Sequence, residues 1–191
     1  MSIKSLRSGY KGISMLAGNL QWSDFDSIAT VTVTAATQGT IEFTSIPNEY
    51  QHLQIRGIGR TNRASATSDS LRMRFNSDSG NNYSYHFFSG NGTSTAVEGT
   101  PNTSVIAHGC LTATNATSTQ FGVAIIDILD YANTNKYKTS RSIDGFERNG
   151  AGSVEVSSGN WRNTNAITSI QLTALGSFVT NSTFALYGIK G

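Results

Sequence analysis

Ile167-Thr-Ser-Ile-Gln-Leu-Thr173, a glycine-containing link through Gly176, and then Ser182-Thr-Phe-Ala-Leu-Tyr-Gly-Ile-Lys-Gly191 decide the fold of this chain. Apolar and polar residues alternate with a period of two on both sides of the link, the signature of β-strands. The reading is two strands joined by a short loop. The second is expected to be a core strand of a closed β-structure, because a terminal segment frays unless a sheet ties it down.

Upstream of this pair the same period recurs. Leu71, Met73 and Phe75 alternate with Arg72 and Arg74, the clearest two-faced strand in the chain. Within Gln120–Asp130, the run Val123-Ala124-Ile125-Ile126 has no polar face, which predicts a strand buried between two layers. Further strands are expected at Ile28–Thr34, Thr40–Thr44, His52–Thr61, Tyr83–Phe88, Thr103–His108, Lys136–Ser142 and Ser153–Ser157. Gly57 and Gly59 inside one of them signal a bulge or the close approach of another backbone. Pro47 marks a turn in Ser45–Tyr50, and Asp78-Ser-Gly-Asn-Asn82 is turn chemistry. Thr93–Asn102 reads as a flexible connection and Thr112–Ser118 as a polar one. About ten short strands with regular turn signals predict an all-β, antiparallel, jelly-roll-like β-sandwich. No fixed-period repeat points to a propeller or solenoid.

Composition fits that class. Of 191 residues, 37% are hydrophobic and only 14% charged, and Ser, Thr, Asn and 19 Gly make up the balance. Disordered chains combine low hydrophobicity with high charge, and here charge is scarce. The net charge of +2 argues against nucleic acid as a partner. The single cysteine, Cys110, excludes an internal disulfide framework and is expected as a buried small residue. No apolar run is long enough for membrane insertion, and residues 1–19 lack the apolar core of a secretory signal, so the chain is expected in the cytoplasm until released.

The sequence divides into an arm, residues 1–25, and a body, residues 26–191. Ile3, Leu6, Tyr10 and Ile13 recur at steps of three and four, although Gly9 and Gly12 weaken a helix by roughly 1 kcal/mol each. The segment reads as an extended or partly helical docking arm, with Met15 and Leu16 extending its apolar set. The plainer alternative is a frayed terminus.

Chemistry is thinly represented. His52, His86 and His108 fall on separate strands, with no His or Cys spacing suited to a metal. Asp127 and Asp130, three apart on a strand, point to opposite faces and do not converge. A glycosidase needs two carboxylates roughly 5–10 Å apart across a sugar site, and the 12 acidic residues sit mostly alone in turns. The expectation is a non-enzymatic protein without metal or cofactor. Candidate contact residues are Arg56 and Arg60 on one strand and Arg72 and Arg74 on the next, a basic patch if those strands pair. Tyr83 and Tyr85 on an aromatic strand, with Trp161, are the aromatic candidates.

Five segments carry a resemblance that spans nearly the whole chain in order. They are Ser14–Asn19; Ile46-Pro47 with Tyr50, His52-Leu53 and Ile55-Arg56; Arg74-Phe75-Asn76 with Asp78, Gly80 and Asn82-Tyr83; Ile128–Lys138; and Phe184-Ala-Leu-Tyr-Gly-Ile-Lys190. In these the chain resembles a family of small tailed-bacteriophage virion structural proteins. The resemblance implies a particle component with a β-sandwich body, a tail-fibre or tail-associated module or a capsid decoration protein. It also implies localisation in the virion after assembly in the host cytoplasm. Expected partners on this reading are other virion proteins and copies of the chain itself (a trimer favoured); separately, the Ser-, Thr- and Asn-rich loops are compatible with a host surface glycan. The resemblance carries no catalytic residues. A free carbohydrate-binding module is the alternative from another class.

Overall fold

The computed structural model describes residues 24–191 and the backbone of two short strands before them, β1 (Ile13–Leu16) and β2 (Asn19–Trp22). These two pair antiparallel, with Leu16 opposite Asn19. Of the arm residues, Ile3, Leu6 and Tyr10 lie outside the described set. Ile13, Met15 and Leu16 fall on β1, where the backbone is extended and not helical.

The body contains β3 (Phe25–Thr32), β4 (Thr37–Phe43), β5 (His52–Gly59), β6 (Ser68–Phe75), β7 (Tyr83–Gly90) and β8 (Thr95–Thr103). There follow β9 (Ile106–Thr112), β10 (Gly122–Leu129), β11 (Lys138–Phe146), β12 (Ser153–Trp161), β13 (Ile170–Val179) and β14 (Thr183–Ile189). They form two antiparallel sheets packed as a sandwich. The larger runs β3-β14-β5-β10-β11-β12-β7-β8 and the smaller β4-β13-β6-β9. The smaller sheet lays β9 across β10, β11 and β12.

Alternation explains the core. On β6, Leu71, Met73 and Phe75 point inward and are fully buried, while Arg72 and Arg74 face out. On β10, Ala124, Ile126 and Ile128 supply the inner side. Each such isoleucine or leucine contributes roughly 1.5–3 kcal/mol through removal from water. The Asp78–Asn82 turn anchors an aromatic corner. Trp161 Nε1 donates to Asp78 Oδ2 at 2.8 Å, and the Tyr83 hydroxyl donates to the Asp78 carbonyl at 3.0 Å. The Tyr83 and Trp161 rings stack at 6.3 Å between centroids.

Four expectations are corrected. The stretch through Gly176 is not the link between the last two strands: β13 runs on to Val179 with a register shift between Thr173 and Phe178, and the turn to β14 lies at residues 180–182; β13 belongs to the smaller sheet and β14 to the larger, between β3 and β5. The region crowding Gly57 and Gly59 is a side chain and not a backbone; a methyl at Gly57 would lie 2.6 Å from the Phe184 ring. Thr93–Asn102 is no flexible connection, since β8 pairs with β7 from Tyr83↔Thr103 to Gly90↔Thr95. Lastly, β10 is not buried on both sides. Val123, Ile125 and Leu129 face solvent.

Candidate functional site

The four arginines do not form a patch. β5 and β6 sit in different sheets, so Arg56 and Arg72/Arg74 lie on opposite outer faces of the sandwich. Arg60 is buried just past the end of β5. Its guanidinium donates to the carbonyls of Ala116 (2.8 Å), Thr117 (2.9 Å) and Gln120 (3.3 Å), holding the 113–121 loop. Arg74 donates to the Ser104 carbonyl at 2.9 Å. Arg56 lies over the rings of Phe25 and Tyr187, 4.9 and 5.4 Å from their centroids. Tyr83 and Trp161 are core residues with no surface to offer, and Tyr85 packs half-buried against the same core. The sequence pattern did not reveal these placements, because an aromatic strand reads the same whether its rings face inward or outward.

Between β9 and the β11–β12 pair the interior is polar. His108, fully buried, contacts Ser157 Oγ through Nδ1 (2.5 Å) and Ser140 Oγ through Nε2 (2.7 Å). Ser157 reaches Ser142 Oγ at 2.6 Å, and Ser142 donates to Asp144 Oδ2 at 2.7 Å. Serines around a histidine, ending on a carboxylate, have the connectivity of a proton relay. Every member is nearly or wholly buried, so no substrate reaches it. Burial holds the His108 imidazole down to about 3, which keeps it neutral. Asp144 stands directly opposite Glu155 across β11 and β12. Burial raises the Asp144 carboxyl to about 6. It raises Glu155 to about 7, with the charges of Asp144 and then Glu98 adding to the effect. Cys110, half-buried next to this layer, has its thiol pushed up to about 12 by burial. Among the described residues no three His, Cys, Asp or Glu side chains group as metal ligands would.

The outer face of β11 and β12 is apolar where its inner face is polar. Register places Ile125, Ile143, Val156, Phe88 and Val97 side by side on β10, β11, β12, β7 and β8. The neighbouring row carries Ile58, Val123 and Val154, with Gly145 between the last two. Exposure of these eight runs from 45% at Ile58 and Ile125 to 76% at Val97. On the other flank of the first row the residues are polar: Gln54, Asp127, Arg141, Ser158 and His86. Asp127 accepts from Gln54 Nε2 at 2.8 Å and from Arg141 Nε at 3.1 Å, so this rim is internally neutralised. Arg56, opposite Ile125, borders the belt. It alone of the seven candidate contact residues touches it.

A separate open depression of about 620 Å³ lies where β7, β8 and β12 meet the 147–152 loop. Phe87, Phe146, Cys110 and Glu155 line it with several Ser, Thr and Asn side chains. A scan against models of protein families finds no match to this chain, and no curated protein is similar to it.

Proposed function

We propose that this chain is a non-enzymatic bacteriophage virion structural protein, a tail-fibre or tail-associated module that works as a homo-oligomer. The observation that carries this reading is the apolar belt: eight exposed aliphatic and aromatic side chains on one sheet face belong to a part that is covered in use. The side chains that would do acid–base chemistry are engaged structurally. Asp127 pairs with Arg141, Asp130 with Lys136, and His108 is enclosed by serines. The order of the five resembling segments supports the phage assignment, and the anchoring arm is the segment read as residues 1–25, less its last residue, Phe25, which begins β3. Partners are then neighbouring virion proteins. A capsid decoration protein would use the same sandwich to clamp shell subunits.

Quantitative mass spectrometry of purified particles of the encoding phage tests this reading. A few to a few tens of copies per particle are expected for a tail station, hundreds for a shell station, and absence from particles overturns both. Deleting residues 1–20 is expected to leave a folded body that no longer enters particles. Unchanged incorporation removes the anchoring role of the arm.

One observation favours an additional role in host-surface glycan binding. The depression beside Glu155 combines the Phe87 and Phe146 rings with hydroxyl and amide groups, the mixture that sugar rings contact. A glycan array with the purified chain, repeated with Phe146→Ala, tests it. Signal that disappears in the variant supports the role.

A further inference from the structure

We propose that the apolar belt on the outer face of β10, β11, β12, β7 and β8 is a homotypic interface, occupied by the same face of a second copy of this chain. The inference rests on the assembly part of the proposed function and not on its virion part, so the two fail separately.

Area comes first. Eight large side chains, each about half exposed or more, leave on the order of 800 Å² of apolar surface in water, above the roughly 300–600 Å² patch of a typical monomer. About 800 Å² per partner is what a standard stable interface buries. The polarity of the strands gives an independent reason. Ordinary sandwich strands place apolar residues inside and polar ones outside. β11 and β12 reverse this, with Ser140, Ser142, Asp144 and Ser157 inward and Ile143, Val154 and Val156 outward. Trp161 at the end of β12 is buried in the core, but the apolar contribution of Ile143, Val154 and Val156 is unrealised in the isolated chain and becomes available only when a second layer covers them.

Charge and edge geometry select the occupant. The flanking Asp127–Arg141 pair is neutral and the whole chain carries only +2, so two copies meet without the like-charge barrier that a strongly charged chain presents to itself. Edge-to-edge sheet extension is discouraged at β8, where Pro101 lacks a donor and Glu98 is exposed. At this end of the larger sheet, face-to-face packing is the route left. The belt, five residues in one row and three in the next, meets the same patch of its copy when the two are related by a two-fold axis, with sheets roughly 10 Å apart.

The test is sedimentation velocity on the full chain over a concentration series up to about 100 µM, with Ile143→Asp and Val156→Asp as interface variants and Thr139→Asp as a control on the same strand outside the belt. The wild type and Thr139→Asp are expected to sediment as dimers. Each belt variant is expected to weaken association by about tenfold or more, because it desolvates an unpaired charge at the centre of the face. Urea unfolding of the variants at monomeric concentration is expected to match the wild type, since Ile143 and Val156 are exposed in the single chain. A wild-type monomer throughout the series overturns the proposal. So does an oligomer that both belt variants leave intact, which would assign the face to the arm or to a different protein.

Discussion

Lys138 shows how single residues are used in this molecule. It begins β11, is fully buried, and its ammonium donates to the carbonyls of Asn133 (2.5 Å), Lys136 (3.0 Å) and Thr164 (3.0 Å). Burial, followed by the nearby Lys136 charge, lowers its affinity for the proton. Arg60 does the same for the 113–121 loop. In both places the side chain of a buried cation runs to a point where loop carbonyls converge and donates to three of them, tying the loop to the sheet. Lys138→Met keeps the apolar stem and removes those bonds. It is expected to cost about 2–4 kcal/mol, read as a lower urea midpoint with an unchanged slope. At Gly57 the constraint is space: Gly57→Ala presses a methyl into the Phe184 ring and is expected to cost about 1–3 kcal/mol. The double variant Gly57→Ala/Phe184→Leu is expected to regain part of that loss in the same assay. Neither role was legible from composition. An arginine or lysine beside a strand reads as a solvated charge, and only the path of a loop distant in sequence reveals the carbonyls it meets.

At the scale of elements, β6 was legible because its two faces differ chemically. β10 was half legible. A run that is apolar on both sides looks alike whether it is buried twice or buried once with an exposed face, and the second is what occurs. β8 escaped notice because Thr, Gly, Asn and Pro101 have turn chemistry, yet pairing with β7 along one edge is enough to order it. The inward polarity of β11 and β12 was hidden for a related reason: alternation identifies two faces but not which one meets the core. That polarity makes a pH prediction. Asp144 and Glu155 face one another across the pair, with Cys110 and neutral His108 near them on β9 and Glu98 on β8. Their folded values, about 6 and about 7, lie above the ordinary carboxyl range. At these two groups the folded state therefore holds more protons than the unfolded one between about pH 4 and 7. The stabilisation is complete below the ordinary range and is lost as pH rises through the folded values. The unfolding free energy of the wild type relative to Asp144→Asn/Glu155→Gln is expected to fall from pH 4.5 to pH 7.5, by on the order of 2 kcal/mol for Asp144 and less for the more exposed Glu155. His108, neutral in the fold, acts in the opposite direction in both proteins and cancels in that difference. Wild-type and variant profiles that run parallel across the window sink this account.

The whole molecule is closed by a strand from late in the chain inserted between two from early in it. β14 lies between β3 and β5, pairing Leu186 with Ala29 on one side and with Ile55 on the other. Phe184 fills the room left by Gly57 and Gly59 and meets the Phe178 ring edge-on at 5.1 Å. Without β14 the larger sheet loses the contact between β3 and the rest, β5 gains an open edge, and the core loses two fully buried side chains. Removing residues 181–191 is therefore expected to abolish the cooperative urea transition and to produce aggregation through the exposed β5 edge. The opposite truncation has a different expected outcome. Among the described residues the hydrophobic core is assembled from residues at and after Ile28, so a chain beginning at Asp24 is expected to keep its unfolding free energy within about 1 kcal/mol of the full chain. Circular dichroism and urea titration on both truncations check the pair. If loss of residues 1–23 unfolds the body, then those residues complete the core and do not serve as a separable arm. In that case the exposed belt loses its standing as a surface left over for assembly, because the same residues become the first candidate to cover it.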